Sequence, residues 1–242
     1  MATIQGWIAK KGRLHFTLID PDKQNPKEAG LLAEKCSDFG TDAIMVGGST
    51  VSGALVDETV KAIKKACKLP VILFPSTAGG VSPNADYVFW MMLMNSTNRR
   101  FLVGEQVKAA IPLSKTRIKT IPMGYIVVST SSKPTTVEKV GEVDRILEND
   151  FEKAISYALT AEYFGMECVY LEAGSGAEKP VSDEMVMQVK NILKIPVIVG
   201  GGIKTPEEAR KKAKAGADVI VTGTIVEKNP GVIKEIIKAF KK

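Results

Sequence analysis

Short runs rich in Val, Ile and Leu alternate along the chain with longer segments whose apolar residues return at helical spacing. That pattern predicts repeated βαβ units around a parallel sheet. Eight runs read as strands, at residues 15–19, 43–46, 71–74, 87–91, 121–128, 168–172, 197–199 and 219–221. Seven helical segments lie among them, at residues 26–39, 55–67, 99–111, 150–164, 183–193, 206–215 and 232–240. Thr205 followed by Pro206, with Glu207 and Glu208 in the first turn, makes a favourable helix start, and Gly40, Gly165 and Gly216 stand where helices should end. One helix is missing. Residues 75–86 are too few and too rich in Gly and Pro for a crossover helix, so an extended or irregular connection is expected there.

Eight strands close a (β/α)8 barrel, although an open doubly wound sheet would also alternate strands and helices. A weak internal repeat supports the count. Gly40-Thr41-Asp42-Ala43-Ile44-Met45-Val46 resembles Gly216-Ala217-Asp218-Val219-Ile220-Val221, and Leu69-Pro70-Val71-Ile72 echoes Ile195-Pro196-Val197-Ile198. Glycine-rich turns after two consecutive late strands favour the barrel. The 242 residues are close to the ~250 such a barrel needs, so one domain spanning 1–242 is expected.

The net charge of +6 arises from 33 basic and 27 acidic residues scattered along helical faces, which argues for a solvated surface and against nucleic acid as partner. A positive surface would still recruit an anionic substrate. Cys36, Cys67 and Cys168 lack disulfide or zinc spacing and fit a reducing cytoplasm. The first residues show no signal peptide, and the least charged stretch, 69–98, is broken by Pro, Gly and Asp, so no membrane span is expected.

Candidate chemistry sits at the carboxyl ends of the strands. Gly200-Gly201-Gly202 follows the seventh strand and Gly223-Thr224 the eighth. In barrels these two loops commonly present backbone N–H groups to a phosphate, though glycines also simply make tight turns. The sixth strand ends in Tyr170-Leu171-Glu172-Ala173-Gly174-Ser175-Gly176, and period two puts Tyr170 and Glu172 on one face with Leu171 on the other. A carboxylate at the mouth beside a phosphate site is a costly placement that usually has a use. The first strand leads to Asp20, where a barrel would hold a catalytic or metal-binding carboxylate, whereas Asp22 suits a turn. Ser49 and Thr50 offer hydroxyls nearby, or else cap a helix. Oxygen-only donors suit magnesium. His15, the single histidine, starts the first strand, the wrong end for chemistry, and reads as structural; Phe89, Trp90, Met91, Met92 and Met94 read as core more readily than as a ligand groove, although a long apolar substrate would need such a lining.

With these motifs together, the sequence resembles the geranylgeranylglyceryl phosphate synthase family, related to the bacterial heptaprenylglyceryl phosphate synthases. The carriers are Thr17-Leu18-Ile19-Asp20-Pro21-Asp22, Gly40-Thr41-Asp42 through Gly47-Gly48-Ser49-Thr50, Leu93-Met94-Asn95-Ser96, Pro122-Met123-Gly124-Tyr125, Tyr170 through Gly176, Gly200 through Ile203, and Gly223-Thr224. The resemblance implies a modified TIM (β/α)8 barrel without a regular third helix. It also implies transfer of a geranylgeranyl group from geranylgeranyl diphosphate to the primary hydroxyl of sn-glycerol 1-phosphate in ether-lipid biosynthesis. Magnesium is the implied cofactor, at Asp20 and Ser49. The implied glycerol phosphate contacts are Tyr170, Leu171, Glu172, Ala173, Gly174, Ser175, Gly176, Gly201, Gly202, Gly223 and Thr224.

The Leu-Ile-Asp-Pro form resembles the larger, archaeal-leaning subgroup, so the lysine of the other subgroup's Lys-Leu-Asp-Pro is not carried over. Members are implied to be cytoplasmic homo-oligomers, dimers or hexamers, with transient membrane-surface contact for the prenyl substrate. In the mechanism that follows, Glu172 accepts the hydroxyl proton, with Tyr170 beside it, and the prenyl tail passes Tyr125 and Phe101. The rivals are an isomerase or lyase of a phosphorylated sugar, and a non-catalytic phosphate-ligand sensor.

Overall fold

β-Branched and large aliphatic residues dominate the strands and suit a parallel sheet covered on both faces. The computed structural model describes residues 3–47 and 53–242. Its strands are β1 (Leu14–Ile19), β2 (Ala43–Val46), β3 (Val71–Leu73), β4 (Tyr87–Leu93), β5 (Lys119–Val127), β6 (Cys168–Glu172), β7 (Val197–Gly200) and β8 (Val219–Thr222). All pair in parallel in chain order, and β1 closes on β8 with Thr17 opposite Thr222. The doubly wound alternative is therefore set aside in favour of the expected barrel.

Period two divides the apolar residues into two cores. Leu14, Phe16, Met45, Ile72, Phe89, Met123, Tyr170, Ile198 and Val221 fill the lumen. Ile19, Ile44, Val71, Val88, Leu171, Val199 and Ile220 face outward under the helices. A lumen filled with side chains makes the barrel a packed core and leaves chemistry to its rim.

The helices are α1 (Thr3–Lys11), α2 (Pro26–Asp38), α3 (Gly53–Ala66), α4 (Glu105–Ser114), α5 (Thr136–Val140), α6 (Phe151–Tyr163), α7 (Asp183–Ile192), α8 (Pro206–Lys214), α9 (Thr224–Lys228) and α10 (Pro230–Lys241). The start of α8 is a capping box: Thr205 Oγ1 accepts from Glu208 N at 3.2 Å while the Glu208 carboxylate accepts from Thr205 N at 2.9 Å. After β3 the chain makes only one 3-10 turn, Ala78–Gly80, as its glycines and prolines predict.

Three helices, α1, α5 and α9, were not expected. α1 contains Gly6 and has a weak apolar face, yet it buries Ile4 and sets Trp7 edge-on to Phe16 and Tyr87 at 6.1 and 5.2 Å, closing the amino end of the lumen. α5 and α9 are five residues each, too short for a period to register. The helix expected at 99–111 begins as a π-helical turn, Arg100–Gly104, before α4 takes over and runs to Ser114. β4 runs two residues beyond the expected end, to Leu93, because it pairs with β5 along its whole length.

His15 is buried, its ring bridging Thr41 Oγ1 at 2.8 Å and Thr222 Oγ1 at 2.9 Å. Burial, helped by the positive charge of Lys241, pushes its pKa down to about 3, so it is neutral. Asp42 beside it pairs with Lys241 at 2.6 Å and Lys11 at 3.3 Å, tying α10 and α1 to the foot of β1.

Candidate active site

The carboxyl ends of the strands open into a cleft of about 420 Å³. Its polar end is formed by the loops after β6, β7 and β8 and by the turn after β1; its walls there include Asp20, Ser175, Gly176, Gly201, Gly202 and Thr224. From there it crosses the aromatic rim of Phe74, Tyr125 and Tyr170. It ends among Phe101, Gln106, Ala109, Val137 and Val140, reaching Val88 and Trp90 on the outward face of β4.

Tyr170 and Glu172 share the inward face of β6, as period two requires. Tyr170 lies 5.7 Å from Phe74, nearly stacked, and 5.3 Å from Tyr125, edge-on. Its hydroxyl donates to the Glu172 carboxylate, which also accepts from the Gly174 N–H at 2.5 Å. Glu172 is only 7% exposed. Burial raises its pKa to about 7 against the lowering effect of those two donors, and burial with the neighbouring carboxylate pushes the Tyr170 phenol well above its usual range. A buried carboxyl poised near neutrality, with two donors fixing its orientation, suits proton acceptance.

Gly200 and Gly201 make this pair possible. A Cβ on Gly200 would overlap the Tyr170 hydroxyl oxygen, and one on Gly201 would overlap Glu172 Oε1. Gly201 also has φ +77°, a conformation side chains rarely adopt. Ser175 Oγ and Thr224 Oγ1 stand 3.3 Å apart across the polar end, joining the β6 and β8 loops.

The expected residues thus largely converge. Asp20, Tyr170, Glu172, Ser175, Gly176, Gly201, Gly202, Gly223 and Thr224 line one cleft. Gly174 reaches it through its N–H, while Leu171 and Ala173 point into the outer core and meet the site only through their backbone. Ser49, with Thr50, lies outside the described residues. Asp20 follows β1; its Oδ1 accepts from Asp22 N at 3.1 Å, so Asp22 serves the turn as expected. Among the described residues no cluster of three or more His, Cys, Asp or Glu could hold a metal unaided.

Four contributors were not anticipated. Phe74 stacks at the centre of the rim. Lys204 donates to the carbonyls of Ala177 at 2.9 Å and Glu178 at 3.2 Å, clamping the β6 loop. Thr135 at the start of α5 occupies the space a Cβ on Gly174 would need. Lys23 stands 3.3 Å from Asp20. A Lys three residues after a carboxylate in a tight turn was the only visible signal among them.

The chain is similar to proteins of one kind. The chain is 50% identical over 220 residues to a geranylgeranylglyceryl phosphate synthase of Pyrococcus horikoshii, covering 90% of this chain and 85% of that protein. The crystal structure of (S)-3-O-geranylgeranylglyceryl phosphate synthase from Thermoplasma acidophilum, in complex with its substrate sn-glycerol-1-phosphate, superposes with a TM-score of 0.93. It is 45% identical, covering 100% of this chain and 99% of that one. A wild-type synthase structure from Thermoplasma volcanium gives a TM-score of 0.92 at 44% identity over 100% and 98% of the two chains. The PcrB family model matches residues 5–242, from the helix below the lumen to the last helix, and the chain belongs to the PcrB family.

Proposed function

We propose that this chain is a geranylgeranylglyceryl phosphate synthase. It joins geranylgeranyl diphosphate to the primary hydroxyl of sn-glycerol 1-phosphate and yields geranylgeranylglyceryl phosphate and diphosphate. The observation that carries this reading is the position of the buried Tyr170–Glu172 pair, between glycine-rich loops on one side and a long apolar cleft on the other. A phosphate at the loops would bring its glycerol hydroxyl towards Glu172, while a prenyl chain would find the long apolar part of the same cleft to lie in. The relatives named above, one of them holding sn-glycerol-1-phosphate, support the same substrates.

Glu172 accepts the hydroxyl proton as the new C–O bond forms, Tyr170 orients it, and the rings of Phe74 and Tyr125 shield the reacting carbon from water. Magnesium is the cofactor of this proposal. Asp20 fits it, offering one oxygen not used by the turn, because magnesium typically takes one or two carboxylates and completes its shell with water and substrate phosphate. When bound it would neutralise the leaving diphosphate.

The rest of the proposal is a cytoplasmic, single-domain enzyme over residues 1–242 that works as a homo-oligomer, a dimer or hexamer, and touches membrane surfaces transiently to collect its prenyl substrate. Val103, Val107 and Ile111, exposed and four residues apart, support the oligomer. None of the described helices is long and apolar enough to cross a membrane. The direct test is incubation with magnesium, each enantiomer of glycerol phosphate and prenyl diphosphates of several lengths, with products identified by mass. An ether product from the sn-1 enantiomer and the C20 diphosphate is expected; no ether product from any pair would overturn the reading.

A further inference from the structure

Two anionic substrates must enter a cleft whose described lining is itself acidic. It carries four carboxylates, Asp20, Glu105, Glu172 and Glu227, against two ammonium groups, Lys23 and Lys204. Glu105 is paired away from the polar end with Arg100 at 2.7 Å and Lys108 at 3.0 Å. Lys204 is committed to two backbone carbonyls. Lys23 is therefore the one described lining cation whose partners are carboxylates at the polar end.

Its geometry is specific. The turn after β1 closes with Lys23 N donating to Asp20 O at 3.0 Å, and Asp22 N holds Asp20 Oδ1 at 3.1 Å. Asp20 Oδ2 is left facing the Lys23 ammonium at 3.3 Å, and the same ammonium stands 3.5 Å from Glu227 Oε2. Neither distance is that of a tight ion pair, and the Lys23 side chain is 42% exposed, so its long stem is free to swing. The ammonium thus occupies the place a divalent cation on Oδ2 would take, and two cations cannot share one oxygen without strong repulsion.

We propose that Lys23 is a displaceable counter-cation and a diphosphate-binding residue. In the metal-free protein it is parked between Asp20 and Glu227; when a divalent cation takes Asp20 Oδ2, the ammonium turns into the cleft and binds the diphosphate of the prenyl substrate. This inference rests on the magnesium-dependent transfer proposed above.

The test compares wild type, Lys23→Met and Lys23→Arg, with melting temperatures confirming that all are folded. Mn2+ binding without substrate is followed by electron paramagnetic resonance, and KM is measured for both substrates. Lys23→Met is expected to bind Mn2+ roughly 3- to 10-fold more tightly, because the competing ammonium is gone, and to raise KM for the prenyl diphosphate about tenfold with KM for glycerol phosphate nearly unchanged. Lys23→Arg, which keeps the charge, should return both values to within about threefold of wild type. Unchanged Mn2+ affinity, or an equal rise in both KM values, would overturn the proposal. If wild type makes no ether product, the functional reading fails instead, and the Mn2+ titration still reports whether Lys23 competes at Asp20.

Discussion

Glu172 combines deep burial with two hydrogen-bond donors, and its pKa near 7 has a kinetic consequence. Only the carboxylate accepts a proton, so kcat/KM should rise with pH through about 7 and then level off. Glu172→Gln should remove that limb and lower the single-turnover rate by ~10²-fold or more, while calorimetry finds glycerol phosphate binding within a few-fold of wild type. A near-normal rate with weakened binding would make Glu172 a positioning residue. The same burial makes folding oppose ionisation: the folded pKa is raised, so this group's contribution to stability is full below about 4.5 and is lost as pH climbs to about 7. Glycines at the site divide into two kinds. Gly200→Ala would drive its methyl into the Tyr170 hydroxyl, so turnover should collapse. A Cβ on Gly223 meets Leu18 only at an ordinary 3.5 Å, so Gly223→Ala should fold normally and weaken glycerol phosphate binding alone, which a melting curve and a titration would separate.

Short elements carry the second wall of the cleft. α5 presents Thr136, Val137 and Val140 to it, and its inner turn hangs on one buried carboxylate, Glu138. Glu138 accepts from Ser129 Oγ at 2.5 Å, Thr135 N at 2.7 Å and Thr135 Oγ1 at 2.8 Å, with Arg145 at 3.5 Å. Burial alone would raise its pKa, but these donors outweigh it and hold the pKa below its ordinary value. Glu138→Ala should cost about 2–3 kcal/mol in urea unfolding by stranding Ser129 and uncapping α5, and should raise KM for the prenyl diphosphate. The strands and long helices were legible in sequence because periods of 2 and 3.6 repeat often enough to be counted. α5 has five residues, and Glu138 looks like any surface acid until Ser129 and Arg145 fold onto it from either side. Tyr170 and Glu172 were legible because strand alternation fixes which side chains reach the rim, and Asp20 and the glycine loops because they directly follow strand ends. Lys23 and Lys204 were not, since a flexible stem in a turn has no period.

At the scale of the whole molecule, nothing among the described residues suggests that a metal holds the fold together. Chelation by EDTA should therefore abolish turnover while circular dichroism and the melting temperature stay unchanged; a large drop in melting temperature would point to a structural metal. The ring of helices is a different matter, because it is incomplete. After β3 a single 3-10 turn stands where a helix would complete the coat, and Val88 and Trp90 of β4 line the cleft beside it. A C20 hydrocarbon lying there would cover the apolar strand face that a helix normally shields, becoming for the length of a catalytic cycle a borrowed element of secondary structure. Fold stability would then track the supply of lipid precursor. A non-reactive prenyl thiodiphosphate at 100 times its Kd should add about 2.7 kcal/mol and raise the melting temperature by roughly 5–10 °C. Pro75, Ser76, Thr77, Ala78 and Val81 line the cleft beside that turn, so a bound tail should slow proteolysis within residues 75–86.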